Sequence, residues 1–232
     1  MDGLARLADG TYRGRGLALG RSPDGASAVI VYWITGRSER SRNRRLAESA
    51  DGTVRTEFVD AGRGDDPALV VYPLLMSRGG THVVSNGEQT RPILDVLCAG
   101  HTLERALQAW TAEPDELATP RITGVVEAGA PAACRLGVVR ERTEDGRAVT
   151  ERSVFACDAL PPGSGRCVTT YAGGPGDPAP FAGEPLCVRF DADPEATCER
   201  FREALAGPLL VSVIARFASP GGTRTAIANL RG

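Results

Sequence analysis

Apolar residues run along this chain in short stretches, divided by Gly, Pro, Asn and Asp. Residues 16–20 (GLALG) and 28–35 (AVIVYWIT) read as two strands joined through Ser22-Pro23-Asp24-Gly25, a hairpin signal. Strands are also predicted at 53–60, at 68–75 (ALVVYPLL) and at 81–86, the last running into Asn86-Gly87. Between 102 and 113 the period changes. Leu103, Ala106, Leu107 and Trp110 fall at i, i+3, i+4 and i+7, with Thr102 as N-cap and Pro114 as stop, so a helix is predicted. Strands return at 121–127, 134–142, 149–157 and 166–171. A Gly/Pro-rich loop at 173–185 and a strand at 186–190 follow. A second helix is predicted over 194–206, with Pro194 at its start and Gly207-Pro208 at its end, and an apolar strand at 209–217 closes the ordered chain. Many strands at hairpin spacing, with helices in two places, predict the α+β class with antiparallel sheets. No repeat or low-complexity linker interrupts the pattern, so residues 1–232 read as one domain.

Composition narrows the function. The 232 residues are 42% hydrophobic and 24% charged, ordinary for a globular chain and long enough to bury a core. No run approaches eighteen apolar residues, which argues against a spanning helix and a membrane partner. Met1-Asp2-Gly3-Leu4-Ala5-Arg6 does not read as a secretory signal, so a cytoplasmic setting is expected. All 27 basic residues are Arg, so no Schiff-base or P-loop lysine exists. The net charge of −2 gives no global field toward nucleic acid. Six Cys form no C-x-x-C pair, and His82 and His101 form no H-x-x-x-H, so no metal is expected. The Cys read mostly as small buried hydrophobes, and the two His as loop or surface residues.

Four strings carry more. Arg37-Ser38-Glu39-Arg40-Ser41-Arg42-Asn43-Arg44-Arg45 places five Arg in nine residues after a strand, a strong anion site because the planar guanidinium fork suits phosphate. Read alone it is more readily a solvated loop or a weak nucleic-acid patch. Tyr72-Pro73 sits in an apolar run, where a Tyr is core or a donor to a developing oxyanion. Val83-Val84-Ser85-Asn86-Gly87-Glu88-Gln89-Thr90 turns from apolar to densely polar, either a turn or a set of hydrogen-bonding groups for one polar ligand. Asp115-Glu116-Leu117-Ala118-Thr119-Pro120-Arg121-Ile122 puts two acids and an Arg just after a helix.

Together with Tyr12…Gly14-Arg15, these strings in this order resemble the archaeal-type IMP cyclohydrolase family (PurO) over about residues 12–126. The segment between Arg37 and Arg44 is longer than in the archaeal form. The resemblance implies a four-layer α-β-β-α sandwich like that of N-terminal-nucleophile hydrolases, without self-processing. It implies closure of 5-formamidoimidazole-4-carboxamide ribotide to IMP with loss of water, using no metal and no redox cofactor. The carboxamide nitrogen attacks the formyl carbon, so the site must move a proton and hold an oxygen that gains charge. Carried over by residue, Arg44 and Tyr72 stabilise the formyl oxyanion and Glu116 handles the proton, although Tyr72 and Glu116 could exchange roles. Arg37, Ser38, Asn43, Asn86, Gly87, Thr90 and Arg121 bind phosphate, ribose or carboxamide. The partner is then a small-molecule nucleotide, with a homo-oligomer left open. Two other readings stay open: a related cyclase acting on a purine-like or nucleoside-analogue precursor in specialised metabolism, and a non-catalytic nucleotide-binding protein.

Overall fold

The computed structural model describes residues 3–8, 12–63, 70–172 and 178–230. Its strands form two antiparallel sheets. The first contains β1 (Arg15–Arg21), β2 (Ala28–Thr35), β10 (Ser164–Thr169), β11 (Leu186–Arg189), β12 (Leu210–Ser219) and β13 (Gly222–Asn229), in the order β11-β10-β1-β2-β12-β13. The second runs β3-β4-β5-β6-β7-β8-β9. Its strands are β3 (Arg45–Glu48), β4 (Val54–Glu57), β5 (Pro73–Arg78), β6 (Thr81–Ser85), β7 (Arg121–Glu127), β8 (Cys134–Glu144) and β9 (Arg147–Cys157). The α+β reading with antiparallel sheets therefore stands.

Strand periodicity explains how the sheets face each other. Leu17, Leu19, Ile30, Tyr32 and Ile34 of the first sheet and Leu75, Val84, Ile122 and Leu136 of the second share one buried cluster. The alternate residues Ala18, Val29, Val31 and Trp33 point the other way, where α1 (Leu4–Leu7) and α5 (Pro194–Ala204) supply Leu4, Leu7 and Phe201. On the outer side of the second sheet, α3 (Thr90–Cys98) and α4 (Leu103–Leu107) bring Ile93, Leu94, Leu103 and Leu107 onto Val83 and Val125. The remaining helix, α2 (Glu39–Arg42), lies in the Arg-rich stretch.

Several elements follow from local signals. The β1–β2 hairpin pairs Gly20 with Val29 and Arg21 with Ala28. Asp24 Oδ1 accepts from Ala26 N at 2.9 Å across its turn, and Gly25 takes φ +74°. Asp193 caps α5 by accepting from Ala196 N at 2.7 Å, with Pro194 in the first turn.

Other expectations are corrected. The helix predicted to reach 113 ends at Leu107. Arg152 of β9 donates to Leu107 O at 2.9 Å and to Trp110 O at 2.7 Å, and Arg121 donates to Thr111 O at 3.0 Å. Side chains from distant strands thus take the carbonyls that a longer helix would use. Helix α3 was not foreseen; its Pro92 stands in the first turn, where a missing N–H is tolerated. The strand predicted at 68–75 runs instead from Pro73 to Arg78, and residues 68 and 69 lie outside the described residues. The ordered chain does not close at 217, because β13 adds an edge strand of mixed polar and apolar residues beyond it. Of the Gly/Pro-rich loop, residues 173–177 lie outside the described residues.

His82 is buried within β6, not in a loop, with Nδ1 at 2.6 Å from Ser77 Oγ. Burial, reinforced by the charge of Arg216, pushes its pKa down from 6.5 to about 4. Cys134, Cys167 and Cys198 are buried as expected, whereas Cys98 and Cys187 are exposed. Among the described residues no helix is long and apolar enough to cross a membrane.

Candidate functional site

One end of the sandwich gathers the polar residues. There β1 and β7 begin, β2, β6 and β10 end, and the irregular segment 108–120 crosses over. In β1, Arg15 stands two residues before Leu17 and four before Leu19, so period-2 alternation points it between the sheets. Its Nη2 meets Glu113 Oε2 at 2.8 Å, and both side chains are nearly inaccessible. The other carboxylate oxygen, Oε1, accepts from Asn86 Nδ2 at 2.9 Å. Burial raises the Glu113 pKa above the ordinary carboxylate range, while the charge and hydrogen bond of Arg15 oppose that rise.

Beside this pair lies a cavity of about 730 Å³, within the range of small-molecule sites. It is lined by Arg15, Arg37, Ser38, Arg40, Ser41 and Arg44 together with Glu113, Pro114, Asp115, Glu116 and Leu117. A second lobe of about 350 Å³ shares the arginine wall and extends to Tyr12, Thr35, Thr119 and Tyr171. Arg37, Arg40 and Arg44 of this lining come from α2 and the residues on either side of it, and Arg15 from β1. Ser38 and Ser41 cap the first turn of α2 reciprocally, at 3.1 and 3.0 Å. Arg44 is buried, and its Nε donates to Ser41 O at 2.8 Å, which holds the guanidinium against the wall.

The second lobe is framed by aromatic rings. Tyr12 stacks on Tyr171 at 5.6 Å, and the Arg37 guanidinium lies 5.4 Å from the centre of the Tyr12 ring. Tyr171 shares a hydrogen bond with the Thr119 hydroxyl, which donates to Asp115. Asp115 also accepts from the backbone of Leu117 and Thr119, holding Ala118 at φ +43°. Tyr171 shows that the C-terminal half of the chain contributes to the site.

The residues named from sequence divide into three groups. Arg37, Ser38 and Arg44 line the cavity, with Glu116 exposed at its rim. Tyr72 is buried behind that lining, its hydroxyl 3.4 Å from that of Tyr32. The remainder are engaged elsewhere. Asn43 exchanges hydrogen bonds with the backbone of Asp60 at 2.7 and 2.8 Å. Asn86 and Arg121 are buried in the network behind Glu113, with Gly87 directly against it. Thr90 donates to Gly87 O at 3.1 Å.

Sequence reasoning missed Arg15 as a site residue, and also Glu113, Tyr32 and Tyr171. The signal for Arg15 was present: a charged residue in phase with the inward Leu17 and Leu19. Glu113 was concealed as the last residue of a helix that stops six positions earlier. Among the described residues, no group of three or more His, Cys, Asp or Glu could hold a metal ion.

Residues 12–222 match the protein family described as IMP cyclohydrolase-like protein. The chain is 33% identical over 149 residues to the IMP cyclohydrolases of two Halobacterium salinarum strains, an overlap of 62% of this chain and 71% of each relative. It is 33% identical over 120 residues to the IMP cyclohydrolase of Methanothrix thermoacetophila, covering 50% of this chain and 57% of that relative.

Proposed function

Because the chain belongs to the IMP cyclohydrolase-like family, we propose that it closes 5-formamidoimidazole-4-carboxamide ribotide to IMP with release of water. The observation that carries this reading is a buried carboxylate, Glu113, opening on an arginine-lined cavity of nucleotide size. Proton transfer and anion binding thus converge on one small-molecule site, as this reaction requires.

Glu113 takes the proton from the carboxamide nitrogen as that nitrogen attacks the formyl carbon. It returns that proton to the former formyl oxygen, giving a hydroxyl; a second proton, released from the former formamido nitrogen as the ring C=N bond forms, passes to the hydroxyl by the same carboxylate, and water leaves. Burial suits both steps, because it raises the carboxyl pKa toward that of an efficient proton carrier. Arg44, fixed by Ser41, donates to the formyl oxygen as it gains charge, and Tyr72, buried behind the cavity beside Tyr32, adds its hydroxyl dipole to the same oxygen. Arg37 and Ser38 receive the phosphate at the mouth. The proton role passes from Glu116 to Glu113, since Glu116 is exposed at the rim. Asn43, Asn86, Gly87, Thr90 and Arg121 support the site from behind.

The partner is a free mononucleotide and not nucleic acid, and the setting is cytoplasmic. Helices on both outer faces of the paired sheets support the N-terminal-nucleophile-hydrolase-like architecture, used here without self-processing. The test is turnover of purified protein with the formamido ribotide, followed by the appearance of IMP. Ring closure well above the uncatalysed rate is expected. A rate equal to the buffer control would overturn the assignment.

A further inference from the structure

The polar segment after β6 has a use that is not ligand binding. Asn86 is fully buried, and its side chain makes four hydrogen bonds, all inside the protein. Its Nδ2 donates to Glu113 Oε1 at 2.9 Å and to Pro120 O at 2.9 Å. Its Oδ1 accepts from Ile122 N at 2.8 Å and from Gln89 Nε2 at 3.1 Å. Gln89 Oε1 in turn accepts from Arg121 Nη1 at 2.9 Å. Arg121 is fixed by the Thr111 carbonyl and by the face of Trp110, whose ring centre lies 4.9 Å from its guanidinium carbon.

The direction of this chain is set at its ends. A guanidinium and a backbone N–H can only donate. Arg121 therefore fixes Gln89 Oε1 as acceptor and Nε2 as donor. Ile122 N fixes Asn86 Oδ1 as acceptor, which turns Nδ2 toward Glu113. On the far side Arg15, also a pure donor, meets Oε2 at 2.8 Å. Both carboxylate oxygens of Glu113 thus receive a hydrogen bond and neither is asked to give one. Such an arrangement favours the ionised form, against the burial that disfavours it. Gly87 belongs to the same device: a Cβ there would come within 2.6 Å of Gln89 Oε1 and 3.0 Å of Arg121 Nη1.

We propose that Arg121, Gln89 and Asn86 are positioning residues that hold Glu113 as an oriented carboxylate, so that it enters the reaction as base and not as acid. This rests on the cyclohydrolase reading for the reaction served, but not for the network itself. The charged groups facing Glu113 are Arg15 from β1, Asp115 from its own loop and Arg121 from β7. The two amides are the only links of the relay that can be changed without altering charge at Arg15 or Arg121.

The test compares wild type with Gln89→Met, which keeps the volume, and Asn86→Asp, which keeps the acceptor for Ile122 N but replaces the donor to Glu113 with a second carboxylate. Three readouts are taken: the pH profile of kcat/KM, the IMP dissociation constant, and the titration of Glu113 by carboxyl carbon NMR. Both variants are expected to bind IMP within about twofold of wild type, which also shows that they fold. Their kcat is expected to fall about tenfold or more, with the acid limb and the Glu113 midpoint moved upward by about one pH unit, further in Asn86→Asp. IMP affinity lost tenfold with an unmoved acid limb would overturn the proposal and make these residues ligands. An unmoved Glu113 midpoint in Asn86→Asp would also overturn it. If wild type does not turn over, the reaction assignment fails alone, and the Glu113 titration still decides this proposal.

Discussion

Glu113→Gln is expected to lower turnover by about 10²–10⁴-fold, the range set by loss of a positioned proton carrier, while IMP affinity changes little. Gln preserves shape and still offers an oxygen to Asn86 or Arg15, so the cavity keeps its form. It can no longer accept the carboxamide proton. Glu116→Gln is the control that distinguishes the geometry from the motif. Glu116 is exposed at the rim, so its loss is expected to change kcat by less than about threefold, the scale of a screened surface charge. Steady-state kinetics of the two variants side by side check this. A large loss in Glu116→Gln with an active Glu113→Gln would return the proton role to the exposed acid.

The second large effect concerns stability. Arg15→Met removes the cation from a buried pair at 2.8 Å and leaves Glu113 without its charge partner. Removing one member of a buried pair costs about 3–5 kcal/mol where the remaining group stays ionised. The pH dependence has a definite sign. Burial already raises the folded-state pKa of Glu113, and both contributions that Arg15 makes oppose the rise, so their loss raises it further. A group with a raised folded-state pKa contributes stability that is complete below its unfolded value. That stability is lost as pH rises through the folded value. The deficit of Arg15→Met relative to wild type is therefore expected to be small near pH 5 and largest near pH 8. Urea denaturation at both values measures it. An equal deficit at both would show that Glu113 does not titrate against Arg15.

Much of this arrangement was legible because its causes are local. The β1–β2 hairpin is dictated by Ser22-Pro23-Asp24-Gly25 between two apolar runs, and α5 by Pro194 at its start, the apolar Phe201 and Leu205, and Gly207-Pro208 beyond its end. The motifs led to Arg37, Ser38 and Arg44, because five Arg in nine residues offer guanidinium forks that suit an anion and the other strings occur in the order of the family. What escaped depends on contacts distant in sequence. Helix α4 ends where Arg152, 45 residues away, takes the Leu107 carbonyl. Glu113 is the central carboxylate only because Arg15, 98 residues earlier, is carried to it by a different sheet. Asn86 and Arg121 have the chemistry of ligands in the sequence. Their side chains are buried and hydrogen-bonded within the protein, Asn86 to Glu113 and Arg121 to Gln89, and on the proposed mechanism they form the frame behind Glu113. A polar string in a sequence reveals hydrogen-bonding capacity, but not whether substrate or protein will take it.

The central claim is that ring closure occurs against Glu113 inside the arginine-lined cavity. A crystal structure of the wild-type protein with IMP tests it most directly. The new ring bond joins the former carboxamide nitrogen to the former formyl carbon. That edge of the purine is expected within hydrogen-bond reach of Glu113, roughly 3 Å or one water away, with the phosphate against Arg37 and Ser38. IMP seated with that edge turned from Glu113, or bound outside the cavity, would contradict the account.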